Sequence, residues 1–575
     1  MSSWRCRAVP VVVAAAIVFL VFFPRLDSLR SHLKPDEPTW LSLCGKFASA
    51  LRKGDFSGTL LIAHPGLPTL WLGGLGLSAG EALGEEGDAP YVDRLARARR
   101  PVALATGLAL LLLAFLLGRL LGRELALLGT LLLVSDALLL SESRRLSTDA
   151  LTTLLLATTL VSWLCYLEGG QKRSRDLFLA GASFGLACIN KSIAAAFLLL
   201  LPPLLAWHLG LRTLDTRRAL GAVLLAGAVT LGTFAACCPC FWTWRSFGVP
   251  VAPLLVLFAL PALIAGGRRS CFSLSGFGFL AAGLSLVLIA CVVPMRMDDL
   301  RTIREVILAP YEAIRFPVNR PPLLFLGEMT NSPNALFYPV YALYWSAPLA
   351  WVLIAGAIGV SLRNRSARPV EFRVVCALVG YGLFWILGLS IAGTKLPRYL
   401  ILSSPAWVLL QAMGILHLGR WVASRGRSAL LGGAVVVLVV FAQAFPVLRL
   451  HPDYAAYFHP FLTKRWVLEN TSTGEPIGLD LAAEYLNRKE DARHMRVLVE
   501  TRSWKLFAPY FVGTAHTDPR RLQDREHGYD YIVDDLQNPQ DRIAPETGER
   551  EKVIERNGIP RVGIYRVRRS PDESR

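Results

Sequence analysis

Long apolar runs, recurring from the amino terminus to about residue 447 and separated by short loops rich in arginine, constrain this chain more than any other feature. A backbone crossing hydrocarbon has to satisfy its own N–H and C=O groups, so runs of this kind are helices. The chain has 575 residues, 53% of them hydrophobic and only 18% charged, which is more apolar surface than one soluble core can bury. From residue 448 onward the composition is that of an ordinary soluble protein. A membrane domain over 1–447 and a soluble α/β domain over 448–575 are therefore expected.

The net charge of +18 would suit nucleic acid. Its arginines, however, flank the apolar runs, where they set topology and meet anionic headgroups, so no nucleic-acid partner is expected. The ten cysteines show no paired metal spacing. Cys237, Cys238 and Cys240 cluster where a run meets a loop, which leaves a disulfide there open.

Residues 8–23 follow Arg5 and Arg7 like a signal peptide, yet no small-residue cleavage site precedes Arg25, and we read the segment as a retained first span. Further spans are expected over 101–117, 125–140, 150–167, 177–189, 193–209, 219–236, 249–265, 277–293, 337–360, 374–389, 400–416 and 430–445. The total is about thirteen helices. Residues 67–83 are apolar but glycine-rich and amphipathic, and whether they cross decides the sidedness of everything after them. If they lie in the interface, the basic groups at Arg119, Arg173, Arg217, Arg268, Arg363 and Arg420 share one face with the amino terminus. The positive-inside rule makes that face cytoplasmic. The outer face then receives residues 24–100, the loop at Asp149, residues 294–336, residues 392–399 and the terminal domain. In that domain 479–487 reads as a helix, and 496–500, 529–533 and 562–567 read as strands.

Chemistry is expected on the outer face. Asp36 and Glu37 are adjacent carboxylates in Lys34-Pro35-Asp36-Glu37-Pro38, and the flanking prolines also fit a plain solvated turn. His64-Pro65 precedes the interfacial segment. Ser143-Arg144-Arg145-Leu146-Ser147-Thr148-Asp149 leads into a span, where Asp149 would serve as a helix cap whatever else it does. Lys395-Leu396-Pro397-Arg398-Tyr399 lies between two spans, a place where cations also act as interfacial anchors.

With Gly185-Leu186-Ala187 before Asn190-Lys191, Phe325-Leu326-Gly327, Phe337-Tyr338-Pro339, Tyr454-Ala455-Ala456-Tyr457-Phe458 and Ala483-Glu484-Tyr485-Leu486-Asn487, these motifs stand in a specific order. In that order the chain resembles the C-type glycosyltransferases, and among them the bacterial protein O-mannosyltransferases and lipid A aminoarabinose transferases. The resemblance implies about thirteen membrane helices with an outer carboxy-terminal domain, and a bacterial inner membrane as the location. It also implies a polyprenyl-phosphate sugar as donor, a protein or a lipid or envelope glycan as acceptor, and no metal or other cofactor, although a divalent ion is not excluded.

Phosphate leaves a glycosyl centre without protonation, so the reaction needs a base for the acceptor hydroxyl and cations for the developing charge. Asp36, Glu37 and Asp149 are the catalytic candidates, with Asp36 as base. Lys395 and Arg398, and with them His64, Arg144, Arg145 and Tyr399, are the candidates for substrate contact. His64-Pro65-Gly66 departs from the double-proline or Lys-Pro form of the family, and Asn190-Lys191 from its Thr-Lys-Gly form, which leaves Lys191 as an anchor of a hairpin. The rival reading is a transporter or lipid flippase. Such proteins place ionisable groups near the bilayer midplane, whereas these carboxylates lie in loops at one face. Oligomeric state is not legible in the sequence.

Overall fold

The structure, a computed structural model, describes residues 2–61, 66–82, 90–169, 174–211, 213–239, 323–393, 395–426, 428–472, 475–500, 503–517, 528–536 and 548–567. The expected spans 249–265 and 277–293, together with His64, Cys240 and most of the 294–336 loop, lie outside these residues. Among the described residues seven helices are long and apolar enough to cross a membrane, or up to nine if each of two bent pairs crosses as one.

The helices follow the apolar runs, usually with a turn or more added at an end. In chain order they are α1 (Ser2–Leu26), α2 (Glu37–Arg52), α3 (Leu67–Ala82), α4 (Tyr91–Leu121), α5 (Arg123–Val134), α6 (Ala137–Ser143), α7 (Asp149–Glu168), α8 (Ser174–Asn190), α9 (Leu201–Gly210) and α10 (Thr216–Cys237). After the hairpin of β1 (Leu323–Phe325) and β2 (Glu328–Thr330) come α11 (Phe337–Trp345), α12 (Ala350–Arg363), α13 (Pro369–Ile391), α14 (Ser404–Gly426) and α15 (Ala429–Leu448). Of the segment 67–83, expected at the interface, Leu67–Ala82 forms α3, whose Leu67, Leu70 and Leu77 are buried.

Two expected spans are not continuous, and local chemistry explains both. In 125–140 the Ser135 hydroxyl donates to the carbonyls of Leu131 (3.0 Å) and Leu132 (3.2 Å), which satisfies the end of α5. The Asp136 carboxylate then accepts from the Leu139 N–H at 2.8 Å and caps a new helix, so α5 and α6 meet at 67°. In 337–360 Pro348 has no N–H to continue a helix, and α11 and α12 meet at 101°. Likewise 193–209 begins as a 3₁₀ segment, Ser192–Leu199, before α9.

Helix α7 is the centre of the bundle, buried along its whole apolar window. Close approach elsewhere depends on small residues. A Cβ on Gly181 would stand 2.4 Å from the Ala226 carbonyl oxygen, and one on Gly185 would stand 3.0 Å from that of Thr230. Helices α8 and α10 therefore touch backbone to backbone, and the Thr230 hydroxyl donates to Gly181 O at 3.0 Å.

The terminal segment forms a five-stranded mixed sheet in the order β4 (Thr514–His516), β3 (Arg496–Val499), β5 (Tyr531–Asp535), β7 (Ile559–Val567) and β6 (Gly548–Arg556). Strand β3 runs parallel to β4 and β5, while β7 is antiparallel to β5 and β6. Helix Leu479–Asn487 matches its expectation, whereas β4 and β6 were not expected. The strongly charged Gly548–Arg556 hides its strand character because it is an edge strand with most of its length half-exposed or exposed. The sheet packs against α2 and α3: Leu479, Val497 and Val562 share one hydrophobic cluster with Leu41, Phe47 and Leu70.

Candidate active site

The site assembles where the first loop, the start of α7, the end of α8 and the segment before α14 meet. Pro38 in the first turn of α2 fixes where that helix begins, and Asp36 sits at its N-cap. The Asp36 side chain makes no capping bond, so its carboxylate, 48% exposed, is free to pair with the Arg398 guanidinium. Arg398 lies on the 3₁₀ turn Pro397–Leu402 and is only 19% exposed. Its Nε also stands 3.6 Å from Asp149 Oδ2. Burial works against the Arg398 charge, but Asp149 and Asp36 outweigh it and hold its pKa well above the ordinary arginine value.

Asp149, at the first turn of α7, has a second cation in Lys191. Lys191 Nζ lies 4.5 Å from the centre of the Tyr399 ring, and the Arg398 guanidinium lies 5.9 Å from it, so this ring braces both cations. Asn190 supplies the frame: its Oδ1 accepts from the Thr69 hydroxyl at 2.9 Å, and its Nδ2 donates to Thr148 O and Thr152 Oγ1 at 3.0 Å each. Helices α3, α7 and α8 are thereby pinned at one point. Tyr338 exchanges hydrogen bonds of 3.2 Å with the N–H and carbonyl of Leu396, which holds the strand of chain carrying Lys395. Lys395 has no carboxylate partner among the described residues, and burial lowers its pKa.

Glu37 is placed differently from its neighbour. It is fully buried, and its two oxygens accept from Arg99 Nε (2.7 Å), Arg99 Nη2 (2.5 Å), the Lys34 N–H (2.9 Å) and the Leu146 N–H (2.8 Å). Burial pushes its pKa up, but the Arg99 charge and hydrogen bonds override this and bring it down to about 2. A carboxylate so occupied has no lone pair to offer a substrate proton. Arg144 donates to the carbonyls of Pro452 (2.5 Å), Asp27 (2.6 Å) and Ser28 (3.1 Å), and Arg145 donates to His32 O. Both are buried and serve as main-chain staples here.

Four further charged residues were not singled out from sequence as site residues. Lys34 is buried between Glu142 and Glu475, with Nζ 2.8 Å from Glu475 Oε1. Burial opposes its charge, and the two carboxylates more than offset that, raising its pKa. Glu142 could have been noticed as an ionisable group closing an apolar run, since such groups are costly in membranes unless they have a role. Glu475 and Arg99 carry no comparable signal, because each finds its partner far away in sequence. Among the described residues no group of three or more His, Cys, Asp or Glu could hold a metal ion.

Comparison with known proteins gives this arrangement a context. Residues 93–242 match the family model described as dolichyl-phosphate-mannose-protein mannosyltransferase. No curated protein sequence matches the chain. Among solved structures, the oligosaccharyltransferase AglB of Archaeoglobus fulgidus, in complex with an inhibitory peptide and a dolichol-phosphate, is 14% identical with a TM-score of 0.50. That match covers 93% of this chain and 70% of the other. The apo form of the same enzyme matches at 13% identity over the same shares, with the same TM-score of 0.50. ArnT of Cupriavidus metallidurans bound to undecaprenyl phosphate covers 97% of this chain and 98% of its own, at 13% identity and a TM-score of 0.48. Over nearly its whole length the chain has the fold of the archaeal oligosaccharyltransferase, and its segment 93–242 is similar to the dolichyl-phosphate-mannose-protein mannosyltransferase family.

Proposed function

We propose that this protein is a membrane glycosyltransferase that moves a sugar from a polyprenyl-phosphate carrier to an acceptor hydroxyl on a protein or on a lipid or envelope glycan. The observation that carries the reading is the meeting of Asp36 and Asp149 at the single guanidinium of Arg398. The matched family's description and the lipid phosphates named with AglB and ArnT support a lipid-phosphate donor. In this reading the acceptor oxygen attacks the anomeric carbon, the carbon–oxygen bond to phosphate breaks, and phosphate departs with the electron pair. Asp36 takes the acceptor proton. Arg398 turns from Asp36 toward the lipid phosphate, which exposes the base as the donor binds, and Lys395 adds a second cation. Asp149, held by Lys191, positions Arg398 and sugar hydroxyls, while Glu37 keeps the loop in place. His64 remains a candidate phosphate contact on sequence grounds.

The orientation proposed with this mechanism has a cytoplasmic amino terminus and an inner bacterial membrane. The site and the terminal domain, 448–575, then lie on the outer side.

The test is transfer of radiolabelled sugar from purified polyprenyl-phosphate donor by the full-length protein. Asp36→Asn keeps the shape of the side chain but cannot take the proton, and a loss of roughly 10²- to 10⁴-fold with donor binding preserved is expected. A transporter would show no transfer with either protein. Transfer near the wild-type rate by the variant would reduce Asp36 to a structural turn.

A further inference from the structure

A cleft open in part to the exterior lies where both bent helix pairs break. Its walls include Asp136 from the α5–α6 break, Trp345 and Trp351 from the two sides of the α11–α12 break, Trp407 on α14 and Gln443 on α15. Leu132, Ile354 and Val447 make it mainly apolar. It is separate from the carboxylate group, although Leu400, on the same 3₁₀ turn as Arg398, forms part of its lining.

The chemistry of the lining is lopsided. The indole N–H groups of Trp345, Trp351 and Trp407 and the amide nitrogen of Gln443 are all buried without an acceptor. The assignment of the Gln443 amide is fixed by its oxygen, which accepts the Leu349 N–H at 3.2 Å. Gln443 is only 2% exposed and Trp345 only 9%. Four unmet donors around one apolar cleft are costly unless something supplies acceptors. A polyprenyl chain cannot, because it is hydrocarbon. A phosphate would supply them, but the Asp136 carboxylate in the same wall opposes an anion.

We infer that this cleft binds a diacyl lipid by its two ester carbonyls, with the acyl chains along the apolar wall and the headgroup outside. Ester carbonyls are neutral acceptors that sit side by side at the edge of the hydrocarbon, the depth at which tryptophan is enriched. This inference does not depend on the transferase reading, because it rests on donors that no part of the proposed reaction uses.

The test compares two probes on the intact wild-type protein, purified in detergent and stripped of lipid: diester phosphatidylglycerol and its diether analogue, which has the same headgroup and chains but no carbonyls. Retention is read by native mass spectrometry. One diester lipid per chain is expected, held about five- to tenfold more tightly than the diether for each hydrogen bond lost. Gln443→Leu and Trp351→Phe should weaken diester retention by a similar factor, whereas Trp421→Phe, on a side chain 57% exposed, should not. Equal retention of the two probes would mean ordinary annular lipid and would overturn the inference. So would the absence of any retained lipid, which would leave water as the partner of these donors. The probe comparison needs no variant, so misfolding cannot obscure the result.

Discussion

Adjacent carboxylates with opposite surroundings give a sharp expectation: Glu37→Gln should damage stability and Asp36→Asn should damage turnover. Glutamine at 37 keeps one acceptor oxygen but turns an NH₂ toward donors, an Arg99 N–H together with the backbone N–H of either Leu146 or Lys34. It also leaves the Arg99 guanidinium buried without its counter-ion. Lowering the Glu37 pKa from 4.5 to about 2 corresponds to a stabilisation on the order of 3 kcal/mol, within the range of about 3–5 kcal/mol for breaking a buried pair. Both routes predict an opened fraction roughly 10²- to 10³-fold larger. Because the folded value is depressed, this stabilisation is complete above about pH 4.5 and is lost as pH falls from there toward 2. The assay is thermal inactivation of the two variants in nanodiscs, followed by protease resistance, with transfer measured at a temperature where both stay folded. Glu37→Gln should unfold early yet retain activity when folded, and Asp36→Asn should do the reverse. A Glu37→Gln protein as heat-resistant as wild type and inactive would refute the structural role argued from its four hydrogen bonds.

Arg398→Ala should weaken donor use while leaving the protein folded, and Arg398→Lys should restore only part of it, because a point charge cannot reach Asp36 and Asp149 as the guanidinium does; KM for the lipid donor is the readout. Single cysteines in a cysteine-free background should label with an impermeant reagent from outside at Ser57 and only from the cytoplasm at Ser366, and labelling of Ser366 in intact cells would invert the proposed topology. His32 is buried, with its pKa pushed well below the ordinary value by burial and by Arg145 and Lys34. It folds neutral, so the unfolded chain binds the extra proton and stability should fall as pH drops below about 6.5. His32→Asn, tolerated at its φ of 39°, should flatten melting curves between pH 7.5 and 5.5.

The sequence disclosed the helices because apolar runs in a bilayer admit one backbone solution, and it pointed to Asp36, Asp149 and Arg398, which the structure brings together, through an adjacent carboxylate pair, a helix start and a cation between two spans. It did not separate Asp36 from Glu37, since their difference lies in Arg99, which is supplied by another helix. Arg144 and Arg145 were candidates for substrate contact, and the carbonyl partners they hold here, such as Pro452 O, leave no trace in composition. Lys191 was set aside as a hairpin anchor although it pairs with Asp149, a contact that depends on how α7 meets α8. The helix breaks at Ser135-Asp136 and Pro348 were visible as capping and breaking residues, but the apolar run around each one concealed them.

The contacts of the first loop bear on how the protein is made. The N–H of His32 donates to Asp480 across 448 residues of sequence, and Lys34 is held by Glu475. The loop carrying Asp36 leaves the ribosome among the first segments, but Glu475 and Asp480 emerge only after the last apolar helix, Ala429–Leu448. Until then Lys34 has only Glu142, and the cluster that α2 and α3 share with the sheet is missing its far side. Biogenesis therefore ends with closure of the site, a long-range step that is slow to find and easy to lose. Nascent chains arrested before residue 475 should be inserted and threaded but inert.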